Sequence, residues 1–272
     1  MLLYFGIPKS AYFYTVWTFD RENKNFDIEN KIKEIFDKNK SRYGYRRIVI
    51  SLAKQGIIVN HKKVKRIMKD NGLFAKQPKK KYRSYKGQVG KVANNIINRD
   101  FTAFRANQKW TTDITEFSIP EGKLYVSPIL DMCGSEIISV NISRHPNFYQ
   151  VTDMLNKAFE KNDNLEGLIL HSDQGWQYQM KYYQDKLKEK GIIQSMSRKG
   201  NCLDNSIMES FFGLMKNEMF YGREHEFHSL DQLEKEIYEY IEYYNKERIK
   251  TKLKGLSPYF YRQQSLNSLV LM

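Results

Sequence analysis

The sequence predicts an α/β protein in two parts: a small all-helical module, then a mixed sheet flanked by helices. Apolar residues recur at helical spacing up to about residue 72, whereas from Lys109 onward β-rich runs give way to strands alternating with helices. Charge divides the chain in the same way. Residues 1–100 hold 24 of the 45 basic residues and 8 of the 31 acidic ones, leaving 21 and 23 for the remainder. A basic part joined to a nearly neutral part points to a nucleic-acid grip attached to a second function.

With 272 residues and 41% hydrophobic side chains, the chain can build a real core. The opening MLLYFGIPKSAYFYTVW is apolar and aromatic, without a basic start or a small-residue cleavage site. It reads as a folded or docking segment, not as a signal peptide. No run of eighteen apolar residues occurs, which argues against a membrane span. Cys133 and Cys202 stand apart from any ligand pattern and read as thiols of a reducing cytoplasm.

In chain order, Ile28, Ile32, Ile35 and Phe36 make one apolar stripe on a helix near 28–38. Ser41-Arg42-Tyr43-Gly44 interrupts it, and a second helix carries Tyr45, Ile48, Val49 and Leu52 to about Gln55-Gly56. Asn60 is suited to cap a third helix over 61–71, with Val64, Ile67 and Met68 inside and Gly72 just past its end. Helix, short glycine-containing turn, helix is the arrangement that lets a second helix enter the major groove. The outer face offers Lys62, Lys63, Lys65, Arg66 and Lys69, cations able to neutralise phosphates and release counterions. Residues 1–75 are accordingly taken as the helical DNA-binding region, and 76–107 as a basic linker. Lys79, Lys80 and Lys81 in that linker, with Tyr82 and Tyr85 interleaved, suit either tracking of a phosphate backbone or a solvated tether.

From Lys109, KWTTDITEF, KLYVSPILDM and EIISVNIS are three β-rich runs separated by short turns, hence an antiparallel meander. A helix around 149–162 leads to a buried strand, Leu168-Ile169-Leu170, ending at His171-Ser172-Asp173. A helix near 180–190 and a strand at 192–196 follow, and then SIMESFFGLMKNEMF, a helix with Met208, Phe211, Phe212, Met215 and Met219 inward. This order is that of a ribonuclease-H-like sheet, assigned to residues 108–222, with a helical extension over 223–272.

The acids fall at telling places. Asp113 is expected inside the first strand, Asp173 at the carboxyl end of a later one, and Glu209 near the start of the last helix. Singly, each has a structural reading: a strand-edge residue, the cap of a turn, and a capping-box partner of Ser206. Jointly they favour a metal site. Converging carboxylates repel unless a cation intervenes, and two divalent ions about 3.5–4 Å apart stabilise both oxygens of a phosphoryl transfer. Lys216 lies two turns after Glu209, on nearly the same side of the helix.

WTTDIT, HSDQGWQY and NCLDNSIMESFFGLMKNE together resemble the Asp-Asp-Glu signature of bacterial insertion-sequence transposases of the OrfB type, relatives of retroviral integrases. Between Asp173 and Glu209 lie 35 residues, the spacing typical of that group. YGYRRI with VNHKKVKRIMKDNGL resembles the family's helix-turn-helix segment, which brings Arg46 and Arg47 among the expected DNA contacts, and YYNKERIKTKLKGLSP resembles its ending. The resemblance implies that Asp113, Asp173 and Glu209 are catalytic metal ligands for two Mg²⁺ (or Mn²⁺) ions, and that Lys216 grips DNA. It implies cleavage at the element's end to free a 3′-hydroxyl, which then attacks a second phosphodiester, with no ATP consumed. The implied partners are double-stranded terminal repeats and target DNA, with a homo-oligomer assembled on DNA in the bacterial cytoplasm, at the nucleoid. In this family an upstream-frame fusion often supplies another helix-turn-helix and a leucine zipper. The chain opens Met1-Leu2-Leu3-Tyr4 without sustained heptads, which leaves end recognition and multimerisation open to such a partner or fusion. His171 is expected to be structural, and Trp110, Asp204 and Asn205 occupy motif positions with no assigned chemistry. Two other readings are weighed against this one, a non-catalytic DNA-binding regulator and a nuclease that only hydrolyses.

Overall fold

A computed structural model describes residues 8–19, 25–75 and 91–270. Lys79, Lys80 and Lys81, and the opening residues through Ile7, lie outside the described residues. The chain divides into two compact units after Ala75.

The first unit contains helices α1 (Lys9–Phe19), α2 (Phe26–Lys38), α3 (Tyr45–Lys54) and α4 (His61–Asp70). The last three pack on one another through Ile32, Ile35, Phe36, Ile48, Leu52, Val64, Ile67 and Met68, the residues their helical period turns inward. Asn60 caps α4 as expected, its side-chain oxygen accepting from Lys62 N–H at 2.8 Å. Gly72 follows α4 with φ +66°, a conformation a side chain would resist.

The second unit is one sheet between two layers of helices. Its elements run β1 (Lys109–Thr112), β2 (Thr115–Ile119), β3 (Gly122–Asp131), β4 (Glu136–Ser143), α5 (Phe148–Glu160), β5 (Ile169–Ser172), α6 (Trp176–Gln179), α7 (Lys181–Glu189) and β6 (Ile193–Met196). Then come α8 (Ser206–Met215), a π turn (Lys216–Phe220), α9 (Leu230–Lys246) and α10 (Pro258–Val270). β3 pairs antiparallel with β4 on one side and with β1 and β2 in turn on the other. β1 pairs parallel with β5, and β5 with β6. Trp110, Ile129, Leu170 and Met196 face α5 and α7, while Phe117, Leu124, Val126 and Leu130 face α8 and α9. Both faces of the sheet are covered, as a sheet with buried parallel strands requires.

Two buried ion pairs bind residues 223–270 to this body. Arg262 of α10 donates to Asp131 at the end of β3 (3.0 Å), and Arg248 after α9 pairs with Glu218 of the π turn (2.6 Å). Tyr240 of α9 donates to the same Glu218.

The first β-rich run departs from expectation. It is two strands, and Asp113 lies in the break between them instead of inside a strand. Thr112 pairs with Ile129 and Thr115 with Val126, so Ser127 and Pro128 of β3 lie opposite Asp113-Ile114. Thr112 Oγ1 donates to Pro128 O at 2.9 Å, which shows that the polar edge of Pro128 faces the break. Proline lacks an N–H to offer there, and the Asp113 carboxylate takes the Ile114 N–H itself at 2.7 Å. The interruption is thereby built into both strands.

Candidate active site

β1 and β5 run parallel, with Trp110 beside Leu170 and Thr111 beside His171. Continuing that register sets Asp113 and Asp173 side by side at the carboxyl ends of adjacent strands, roughly 5 Å apart in backbone. Both are half-buried. Asp173 accepts the Gly175 N–H at 2.8 Å, and a Cβ on Gly175 would come within 2.9 Å of that carboxylate oxygen. A side chain there would press on the ends of the Asp173 and Gln177 side chains, while the backbone angle itself is ordinary.

Glu209 sits in the first turn of α8, half-buried, while Met208, Phe211, Phe212 and Met215 take the core face. The helix start is Asn205, with no side-chain hydrogen bond capping it, so the capping-box reading of Glu209 and Ser206 does not hold. The three acids share one field. Burial pushes the Asp113 carboxyl well above the usual carboxylate range and the Asp173 charge pushes further; Ile114 N–H pulls the other way, Glu209 adds to the rise, and Asn205 opposes it. Burial also raises Asp173 and Glu209. Among the described residues, no three acidic, histidine or cysteine side chains are gathered closely enough to wrap a single ion. The three carboxylates stand instead on two adjacent strand ends and the first turn of a helix, an open arrangement of hard oxygens.

Lys216 opens the π turn, marked by Tyr221 N–H bonding back five residues to Lys216 O at 2.7 Å. Its ammonium lies 5.1 Å from the centre of the Phe117 ring. Burial lowers its pKa, opposed by the nearby charges of Glu116 and, less strongly, Asp113. Tyr178, in the motif after Asp173, is buried with a phenol that feels both Asp113 and Asp173.

His171 is fully buried behind the strand ends. Its Nε2 meets Asp204 O at 2.9 Å, and its Nδ1 meets Ser195 Oγ at the same distance. A carbonyl only accepts, and burial lowers the imidazole pKa, so a neutral ring donates from Nε2 and accepts at Nδ1. With both nitrogens spent on structure, it is no base. Asp204, Asn205 and Trp110 also acquire roles. Trp110 is core. Asn205 Nδ2 donates to Asp113 Oδ2 at 2.9 Å, and Asp204 collects two arginines. Sequence spacing gave no sign of these partnerships, because Asn205 and Asp113 are 92 positions apart.

In the first unit, Lys62, Lys65, Arg66 and Lys69 are exposed along α4 and Lys63 is partly so. Arg46 and Lys65 both lie 5.8 Å from the Tyr45 ring, so α3 and α4 present cations around one aromatic. Arg47 is half-buried; it donates to Arg42 O and rests over Tyr43. No helix among the described residues is long and apolar enough to cross a membrane.

The chain matches the Integrase core domain family over residues 103–202 and a second Integrase core domain family over 209–266. It matches the HTH-like domain family over 22–81. It is 49% identical to the "Putative transposase InsK for insertion sequence element IS150" of Escherichia coli (strain K12), over 95% of this chain and 91% of that protein. It is 59% identical to an uncharacterized transposase-like protein of Haemophilus influenzae, over 79% of this chain and 98% of that protein. Its similarity to the transposase for insertion sequence element IS904 of Lactococcus lactis is 36% identity, over 85% and 91%.

Proposed function

The chain belongs to the insertion-sequence transposases with an integrase core domain, enzymes of polynucleotidyl transfer, and from that premise we propose which residues carry the reaction. Asp113, Asp173 and Glu209 are the catalytic ligands of two divalent ions, Mg²⁺ or Mn²⁺. The observation that carries this reading is the adjacency of Asp113 and Asp173 at parallel strand ends, with Glu209 in their common field. When bound, the ions neutralise charge on the attacking and leaving oxygens of a phosphodiester.

The chain's own groups do the rest. Asn205 and the Ile114 N–H hold the two oxygens of Asp113 in fixed directions. Lys216 meets the phosphate backbone beside the acids, leaving a low-dielectric site where its charge acts strongly. The exposed cations of α4, with Arg46 beside Tyr45, grip the terminal repeats of the element. The same pocket serves two steps in turn, water attacking at the element's end and the freed 3′-hydroxyl attacking a second strand. An in-line exchange of phosphodiesters conserves bond energy, so no ATP enters. The working form is a homo-oligomer on DNA, at the bacterial nucleoid, with or without an upstream-frame partner.

The test uses labelled element-end DNA with Mg²⁺ or Mn²⁺. Asp113→Ala, Asp173→Ala and Glu209→Gln each lose at least about 10³-fold in cleavage and joining while still binding the end. Joining at wild-type level in all three would overturn the assignment.

A further inference from the structure

Residues 91–99 run beside the outer strand β6 without forming a regular element, yet they are closely tied to it. Met196 N–H donates to Asn94 O at 3.2 Å, and Ala93 N–H points at Met196 Sδ at 3.3 Å. The N–H groups of Ile96 and Ile97 converge on Ser195 Oγ, at 2.9 and 3.4 Å. The chain then turns through two consecutive non-glycine residues in the left-handed region, Asn98 (φ 44°) and Arg99 (φ 67°). That conformation is costly for residues with side chains and persists where the surroundings fix it.

Asp204 fixes it. Its carboxylate has no exposed surface and accepts from Asn95 Nδ2 (3.0 Å), Arg99 Nε (2.9 Å), and Arg198 Nε and Nη2 (2.8 Å each). The next residue, Asn205, is also buried. Thr111 Oγ1 donates to its amide oxygen at 3.3 Å, which orients the amide so that its nitrogen donates to Asp113. An unbroken line of contacts therefore runs from Asn95 and Arg99, through Asp204 and its neighbour, to Asp113. Neither residues 91–99 nor Asp204-Asn205 fall within the stretches matched to the Integrase core domain families.

We infer that residues 95–99 form a clasp that sets the Asp113 carboxylate, with Asp204 as its anchor and Asn205 as the positioning residue. The inference rests on the reading of Asp113 as catalytic. The clasp is joined to the sheet through Asn94 O, which accepts the Met196 N–H. Releasing it frees the loop at 198–203 and lets Asn205 leave Asp113. Docking it restores the geometry the reaction needs.

The experiment uses the full chain. Lys199 is exposed in the loop, so trypsin cleavage between Lys199 and Gly200, read by mass spectrometry, reports loop opening. In the Asn95→Ala/Arg99→Ala double variant, this cleavage accelerates about tenfold or more. Single-turnover cleavage of element-end DNA falls about tenfold to a hundredfold while affinity for that DNA stays within about twofold, and Mn²⁺ binding followed by electron paramagnetic resonance weakens similarly. Arg99→Lys, which keeps a cation for Asp204, recovers part of the protection. If the double variant does not fold, Asn205→Ala alone carries the test, with weakened Mn²⁺ binding and slowed cleavage. Wild-type protection in the double variant overturns the clasp, and so does lost protection with unchanged cleavage and Mn²⁺ binding. Unchanged Mn²⁺ binding and cleavage in Asn205→Ala overturns the positioning role. Should Asp113→Ala itself keep full cleavage, the reading of Asp113 fails instead, while the protease result still stands for the loop.

Discussion

Asp204 is an ion buried at the price of two arginines. Hydrogen bonds from Arg198, reinforced by Arg99, hold its carboxyl far below the usual carboxylate range despite its burial. A depressed folded-state pKa means that the stabilisation is complete above the unfolded value near 4 and drains away as pH falls below it. Asp204→Asn is therefore expected to cost about 1.5–3 kcal/mol at pH 7, the range for hydrogen bonds to a charged group. Measured by denaturant unfolding of variant and wild type in parallel, the gap narrows between about pH 4 and pH 2.5. A gap independent of pH would mean that the charge contributes nothing. At this scale the catalytic acids themselves were legible, because motif and spacing name Asp113, Asp173 and Glu209 directly. The residues that hold them were not. Asn205 looks in sequence like any helix-start asparagine, and only the fold brings it to a strand 92 positions earlier.

Local chemistry decided most elements. α4 began where Asn60 predicted and stopped before Gly72, since cap and left-handed glycine act within a few residues of themselves. Asn60→Ala should cost about 1 kcal/mol in the first unit's stability, read from its unfolding midpoint, and Asn60→Ser should restore most of it. An Ala variant as stable as wild type would show that the Lys62 N–H finds water equally well. The break in the first β run was illegible because it depends on which strand lies opposite. Only pairing with β3 reveals that Pro128 stands beside Asp113. The π turn was hidden for a related reason. Met208, Phe211, Phe212, Met215 and Met219 fit an unbroken helix, and the apolar period does not register one extra residue per turn.

Across the whole molecule, charge separates two jobs. The second unit carries the acids, while the cations of α4 stand in the first. Each phosphate neutralised contributes roughly 0.9 to the slope of log affinity against log salt. Lys62→Ala, Lys65→Ala and Arg66→Ala combined should lower that slope by about 2–3 for element-end DNA, measured by fluorescence anisotropy across a salt series. An unaltered slope would place the electrostatic contact elsewhere on the chain. The order of sheet and helices was readable in sequence because burial on both faces imposes long apolar runs. That residues 223–270 belong to the sheet's own body was not, since Arg248 and Arg262 look like ordinary surface cations until their acids are found.

Asn245 of α9 donates to Ile137 O and accepts from Ile137 N–H, each at 2.9 Å, on the side of β4 that faces away from β3. One carboxamide thus counterfeits a neighbouring strand, and Lys161 takes the next carbonyl, Ile138 O, at 3.2 Å. A bare strand margin is a template on which identical chains can stack without limit. Here that template is stoppered at its start, so backbone pairing on the first residues of β4 would have to displace Asn245 and Lys161, whereas contact through side chains would not. Side-chain recognition can close on a defined number, whereas strand-to-strand growth has no natural end.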